Sequence, residues 1–338
     1  MSIIDELAKL GKMSEEHIKK YLLMNTSKEF EEVILYQINT GGKRIRPALT
    51  LASCLACEGD INEAFPAAAS VEIAHNYSLI LDDIIDHSEL RRGKPTVWKK
   101  YGLSTAILVA VHYRESATEA LNDTYSPKEF NRIFAKTLKL LIDGERLDIL
   151  FEQAGRRDEP YVVQNRYSDI GFEDYLNMIY KKTGALIEVS CVFGGLSARA
   201  DQKILEALSS YGKMLGYAFQ IGDDIIDLFG KTEKTGKKVG GDIIEHKLGN
   251  AVVALALQEL EEKYRDKLIE ILRKEKISQD DLDEAINIIK NYSSAREKAE
   301  KLRKEYGRKA IESLSVLPEN KGKEYLVKLA GFISIRDF

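Results

Sequence analysis

Apolar positions recur at helical spacing along almost the whole of this 338-residue chain. After residue 255, Leu257, Leu260, Tyr264, Leu268 and Ile271 fall on one stripe while Glu and Lys fill the other face, which predicts an amphipathic helix. No stretch alternates convincingly as a strand, and only 6 prolines are present. Pro47, Pro66 and Pro127 stand where helices should begin. Glycine-containing breaks near 40–42, 93–95, 236–241 and 321–322 should separate helices. The segment 155–172, GRRDEPYVVQNRYSDIGF, is the least regular and reads as a surface excursion. With no linker, short repeat or low-complexity tract, the pattern predicts a single all-α domain over residues 1–338, a bundle of roughly ten or more helices.

Composition adds limits. Hydrophobic residues make up 44%, enough for a substantial core. The net charge of −4 is spread over interspersed acids and bases, so no nucleic-acid partner is expected and any anionic ligand must be held locally. No signal-peptide pattern opens the chain, and no apolar run reaches the about 18 residues of a transmembrane segment. A soluble, cytoplasmic protein is expected. Cys54, Cys57 and Cys191 cannot form a disulfide framework; the CxxC of Cys54 and Cys57 lies in an apolar helical run and reads as ordinary core.

The chemistry lies in two acidic pentads of one shape: Asp82-Asp83-Ile84-Ile85-Asp86 and Asp223-Asp224-Ile225-Ile226-Asp227. On a helix, i and i+4 share a face, so Asp82 stands over Asp86 and Asp223 over Asp227. Read alone, either pentad could be a solvated acidic patch. Both nonetheless interrupt apolar helices, VEIAHNYSLIL and GYAFQIG, where unpaired charge is costly. A hard cation is the natural compensation. Mg²⁺ is held by one or two carboxylates plus substrate phosphates, which points to a phosphorylated substrate.

Basic groups answer the acidic ones. Gly41-Gly42-Lys43-Arg44-Ile45-Arg46-Pro47 sets Lys43 and Arg46 in a turn leading into a helix whose first residue should be Pro47, a place suited to anions. His75 and Ser78 share the helical face of Asp82 and Asp86. Arg91 and Arg92 follow in a Gly-Pro turn that could aim both guanidiniums back at the acids, and Arg suits bidentate phosphate contact. Lys182 and Thr183 lie in YKKTGALIE, Gln220 lies one turn before the second pentad, and Lys237 and Lys247 follow it.

Taken in order, GGKRIRP, ExxHxxSLxxDDxxD with RRGKPT, KTGAL, FQIGDDIID, TGK and a later lysine resemble the trans-isoprenyl diphosphate synthases over nearly the whole chain. The resemblance implies the isoprenoid synthase fold, with helices around a deep central cavity, usually as a homodimer. It implies that Asp82, Asp86 and Asp223 ligate Mg²⁺ on an allylic diphosphate, supported by Asp83, Asp224 and Asp227. Arg91, Lys182 and Lys237 would hold that diphosphate, with Lys247 where the family keeps another lysine. Lys43, Arg46, His75 and Arg92 would hold isopentenyl diphosphate. Thr183 and Gln220 would line the place where the carbocation forms.

Product length follows from the same resemblance. Tyr77 and the small Ser78, upstream of a pentad without insertion, resemble archaeal-type geranylgeranyl diphosphate synthases, with Tyr77 as the floor of the tail cavity. Helix geometry alone does not give that floor, since five residues at about 100° each set Tyr77 about 140° from Asp82. Three departures stand out: Ala110-Val111-His112 where a Gly-Asp pair is common, Trp98 in place of a histidine, and Leu248-Gly249-Asn250-Ala251 after Lys247. Farnesyl or longer products, a class I terpene cyclase and a non-catalytic regulatory subunit are the alternatives. The intact second pentad and the Lys43/Arg46 turn favour condensation.

Overall fold

The computed structural model describes residues 2–230 and 239–335. Among them the only strands are Leu90–Arg91 and Lys94–Pro95, paired antiparallel; the rest is helix and connecting turn. The all-α expectation holds. No helix among the described residues is long and apolar enough to cross a membrane.

The chain divides into two compact units. The first comprises Met1–Thr137, Leu186–Gly212 and Ser313–Leu329. Its central element is the helix Ile61–Ile85, which packs against Leu103–Asn122 and Ile45–Ala56. That helix is buried nearly throughout its length because Ala, Val and Ile fill both its faces, until the pentad reaches its C-terminal end. Pro66 does not start it. Asp60 is the N-cap, its carboxylate accepting from the Asn62 N–H at 2.9 Å, and Pro66 sits in the second turn, where it removes one ladder donor without breaking the helix. Pro47 is likewise the third residue of its helix rather than the first, since Arg44 at φ 52° already turns the chain in. Pro127 does open Pro127–Leu150. The break expected at 321–322 falls earlier, because Gly322 lies inside Lys321–Ile335; a Cβ there would meet the Ala56 nitrogen at 2.1 Å. Cys54 is buried, and all three thiols are free.

The second unit comprises Leu138–Ala185, Lys213–Glu312 and Ala330–Phe338. Its core gathers Phe151, Tyr175, Met178, Ile221, Ile225 and Leu228 around the helix Ala251–Glu259, which is apolar on every side. The stripe from Leu257 to Ile271 spans two helices, Ala251–Glu259 and Glu262–Leu272, because Leu260 is extended (ψ 140°) and re-aims the chain. Both pieces still bury their stripe residues against one core. The 155–172 excursion contains one short helix, Pro160–Asn165.

Candidate active site

In the first unit, the pentad helix ends with Asp86 as its C-cap. Asp83, 1% exposed, faces into its own unit and is clasped by Arg91: Nε donates to both carboxylate oxygens at 2.8 and 3.0 Å, and Nη2 lies 2.8 Å away. Burial raises the Asp83 carboxyl despite that guanidinium. The hairpin turn makes the clasp possible, with Arg92 and Gly93 both at positive φ (55° and 75°) as a tight two-residue turn demands. Thr96 Oγ1 and Trp98 Nε1 both donate to the Ser88 carbonyl at 2.8 Å, so Trp98 fastens the base of this hairpin. The two arginines do not aim at one place. Arg92 reaches instead to the Gly41 carbonyl and to Thr40.

That divergence builds a second, basic locus. Arg44 is the hub of the Gly41–Arg46 turn, bonded to Glu15 (2.9 Å), Glu72 (3.1 Å), Gly41 O (3.0 Å) and Ile38 O (2.8 Å). Lys43 is exposed beside it. Arg46 has a buried Nε with no hydrogen-bond partner among the described residues. Burial first, then Arg46, Arg92, Arg91 and Arg44, push the His75 pKa well below the usual value, so its imidazole is neutral and can donate a hydrogen bond without adding charge. A buried donor without a partner, amid an excess of guanidiniums, suits an oxyanion. Tyr77 is half-buried, and Ser78 Oγ donates back to the His75 carbonyl at 2.9 Å.

In the second unit, Asp223, Asp224 and Asp227 lie on the helix Gln202–Phe229. Asp224, 3% exposed, accepts from Tyr175 Oη (2.7 Å), Gln220 Nε2 (2.9 Å) and the Ala251 N–H (2.7 Å). Burial and then Asp242 push its carboxyl well up. Asp227 accepts from the Gly241 and Asp242 N–H groups, both at 3.1 Å. Asp82 and Asp223 are half-buried and Asp86 is exposed. In each pentad the second aspartate is thus committed to protein donors.

Lys182 and Thr183 sit in a five-residue π-helical turn, Tyr180–Gly184, a rare geometry that often marks functional positions. Gly184 and Gly216 let this turn approach the second-pentad helix; a Cβ on Gly216 would meet Gly184 Cα at 2.6 Å. Thr183 Oγ1 therefore donates to Gln220 Oε1 at 3.0 Å, joining the chain that ends on Asp224. Lys182 Nζ contacts Asp148 (2.6 Å) and Glu145 (2.8 Å), and Lys247 Nζ contacts Glu245 (2.8 Å) and Asp148 (3.4 Å). Lys237 lies outside the described residues.

The departures have structural roles. Asn250 caps its helix through the Val252 and Val253 N–H groups (2.9 and 3.3 Å), donates to Asp242 (2.8 Å), and hands the Ala251 N–H to Asp224. His112 Nε2 lies 2.8 Å from Leu22 O and 3.1 Å from Thr26 Oγ1. Sequence reasoning missed Arg44, Glu72, Asp148, Tyr175 and Asn250. For Asp148 a signal existed: Glu145 and Asp148 stand three residues apart, on one face of the helix Pro127–Leu150. Among the described residues, no three His, Cys, Asp or Glu side chains form a ready-made metal site. The donor set of the pentads, all hard carboxylate oxygens, nonetheless fits Mg²⁺ or Ca²⁺.

Comparison with known proteins agrees with these features. The polyprenyl synthetase family model matches residues 27–289, and the chain belongs to that family of prenyltransferases. It is 39% identical to the short chain isoprenyl diphosphate synthase of Methanocaldococcus jannaschii, over 82% of this chain and 80% of the relative. The crystal structure of geranylgeranyl pyrophosphate synthetase from Pyrococcus horikoshii superposes with a TM-score of 0.88 at 33% identity, covering 99% of this chain and 98% of that one. A polyprenyl synthase from Caulobacter crescentus, solved with calcium and isoprenyl diphosphate, matches with a TM-score of 0.84 at 27% identity over 98% of both chains.

Proposed function

We propose that this chain condenses isopentenyl diphosphate head-to-tail with an allylic diphosphate, giving geranylgeranyl diphosphate as the main product. The observation that carries the reading is that the chain keeps two complete acid pentads and, in the first unit, gathers Arg44, Arg46 and Arg92 near His75. The family model draws on both compact units, which supports one enzyme domain.

Asp82, Asp86 and Asp223 would hold the Mg²⁺ ions, with Asp83, Asp224 and Asp227 fixing the pentads by their bonds to protein donors. Bound Mg²⁺ would neutralise the allylic diphosphate as its C–O bond breaks. Lys182, Lys237, Lys247 and Arg91 bind that diphosphate. Lys43, Arg46, Arg92 and His75 bind the diphosphate of isopentenyl diphosphate, the orphan Arg46 Nε and the imidazole N–H each supplying a donor. The hydroxyl oxygen of Thr183 and the amide oxygen of Gln220 offer lone pairs to the allyl cation. The double bond of isopentenyl diphosphate then attacks, and its proton leaves with the departing diphosphate, since no side chain in these motifs is placed as a base. Water must be kept from the cation.

Tyr77 serves as the floor that ends chain growth, and Ser78 leaves the space above it. A homodimer is supported by Leu103, Ile107, Leu108 and Val111, all more than 45% exposed on one flank of Leu103–Asn122. The three free thiols suit a cytoplasmic enzyme. The test is Asp82→Asn and Asp223→Asn, made separately: each should lower kcat about a hundred- to a thousand-fold, the scale for removing one charge-stabilising group. Wild-type turnover in either variant would remove the pentads from the reaction.

A further inference from the structure

Three separate stretches of the second unit converge on one carboxylate that the sequence reading gave no role. Asp148, 6% exposed, lies near the end of Pro127–Leu150. Its Oδ2 is 2.6 Å from Lys182 Nζ and 3.4 Å from Lys247 Nζ. Lys182 arrives on the π-helical turn. Lys247 follows a turn and is bridged by the backbone to the residues just after Asp148: Gln153 N–H donates to His246 O at 2.9 Å and Leu248 N–H to Phe151 O at 3.2 Å. Gly144, one turn before Asp148, brings the backbones equally close, since a Cβ there would meet the Lys182 nitrogen at 2.3 Å.

A lysine is a point charge on a flexible stem, and two ammoniums sharing one oxygen repel each other, a repulsion that a negative charge on that oxygen offsets by attracting both. We propose that Asp148 is a positioning residue that holds the Lys182 and Lys247 ammoniums together, charged and oriented, for the diphosphate of the allylic substrate. The inference rests on the reading that these lysines bind that group. Electrostatics agree with the geometry. Burial alone would lower the Lys247 pKa, but Asp148, Glu245 and Asp242 raise it well above the ordinary lysine value. Burial would likewise raise Asp148, yet Lys182 and then Lys247 bring it well below the usual carboxylate range. Glu145 pairs with Lys182 and Glu245 with Lys247, whereas Asp148 pairs with both.

Asp148→Asn keeps the shape and removes the charge. Steady-state kinetics should show the KM for geranyl diphosphate rising about ten- to a hundred-fold, the scale for losing a supporting partner of a binding group. The KM for isopentenyl diphosphate should stay within about twofold. In the substrate-free protein, Lys182 and Lys247 should acetylate faster than in wild type when peptides are mapped after limited acetic anhydride treatment, because each ammonium has lost its shared counter-charge. Unchanged geranyl diphosphate KM and unchanged labelling would overturn the proposal. So would an equal rise in both KM values with a lowered Tm, which is a folding role only. Should D148N fail to fold, Asp148→Glu, which displaces the charge by one methylene, must show the same selective rise on a smaller scale. Lys182→Met separates the two levels: if it leaves the geranyl diphosphate KM unchanged, the lysine assignment fails; if it raises that KM while D148N does not, only the role of Asp148 fails.

Discussion

Replacing Arg44 with Met tests how the basic turn is anchored. The Arg44 and Glu72 side chains are each only 3% exposed and meet at 3.1 Å. Removing one partner of a buried ion pair costs about 3–5 kcal/mol, because the other charge is left uncompensated. Here Glu72 would keep the Asn76 amide at 3.1 Å, and its carboxyl is already raised by burial, so it can take up a proton and limit the loss. We therefore expect R44M to cost about 3 kcal/mol, the lower end of that range. Glu72→Gln should cost less, about 1–2 kcal/mol, since Gln still accepts a hydrogen bond and Arg44 keeps Glu15 and two carbonyls. The double variant should lose less than the two singles together, by about 1–2 kcal/mol of coupling. Urea unfolding of the four proteins at pH 7 measures the cycle. A cost below about 1 kcal/mol for R44M, or additivity within about 0.3 kcal/mol, would refute the reasoning. R44M should also raise the KM for isopentenyl diphosphate, because the turn that carries Lys43 and Arg46 loses its anchor.

Tyr77→Ala should lengthen the product beyond twenty carbons with the rate of the first condensation little changed; an unchanged product profile by reversed-phase chromatography removes Tyr77 as the floor. Asn250→Ala should cost about 2–4 kcal/mol, since it uncaps a buried helix and strips Asp242 of a donor; a loss under about 0.5 kcal/mol in urea unfolding would show that the cap is dispensable. The stability gap between wild type and D148N should narrow on acidification. Asp148 is depressed in the folded state, so its stabilising contribution is present above the unfolded carboxyl value of about 3.9 and is lost as pH falls through the lower folded value. Tm measured from pH 6 to pH 3 checks the sign, and a widening gap contradicts it.

Much of this architecture was legible in the chain because helical periodicity and the pentads are local signals. Asp82 and Asp86 share a face by spacing alone, and GGKRIRP announces a basic turn whatever surrounds it. What escaped were choices made by tertiary contact. Spacing does not say what the second aspartate of each pentad meets: Arg91 claims Asp83, and Tyr175 with the Ala251 N–H claims Asp224, from 8, 49 and 27 residues away. Arg44 had no role assigned between Lys43 and Arg46, and the fold shows it as the hub. The proline signals erred where another device took over: Asp60 started one helix ahead of Pro66, and the left-handed Arg44 started another ahead of Pro47. The Leu248–Ala251 segment departs from the family pattern just after Lys247, and its sequence does not say what it does there. In the fold it supplies the cap and the N–H that fasten the second pentad.

The central claim is tested most directly by incubating the purified protein with Mg²⁺, labelled isopentenyl diphosphate and, in separate reactions, dimethylallyl, geranyl or farnesyl diphosphate, then sizing the dephosphorylated products. The account predicts a dominant twenty-carbon alcohol, lost when the metal is chelated. Folded protein that incorporates no label from any primer would contradict it and would turn attention to a regulatory role beside a catalytic partner.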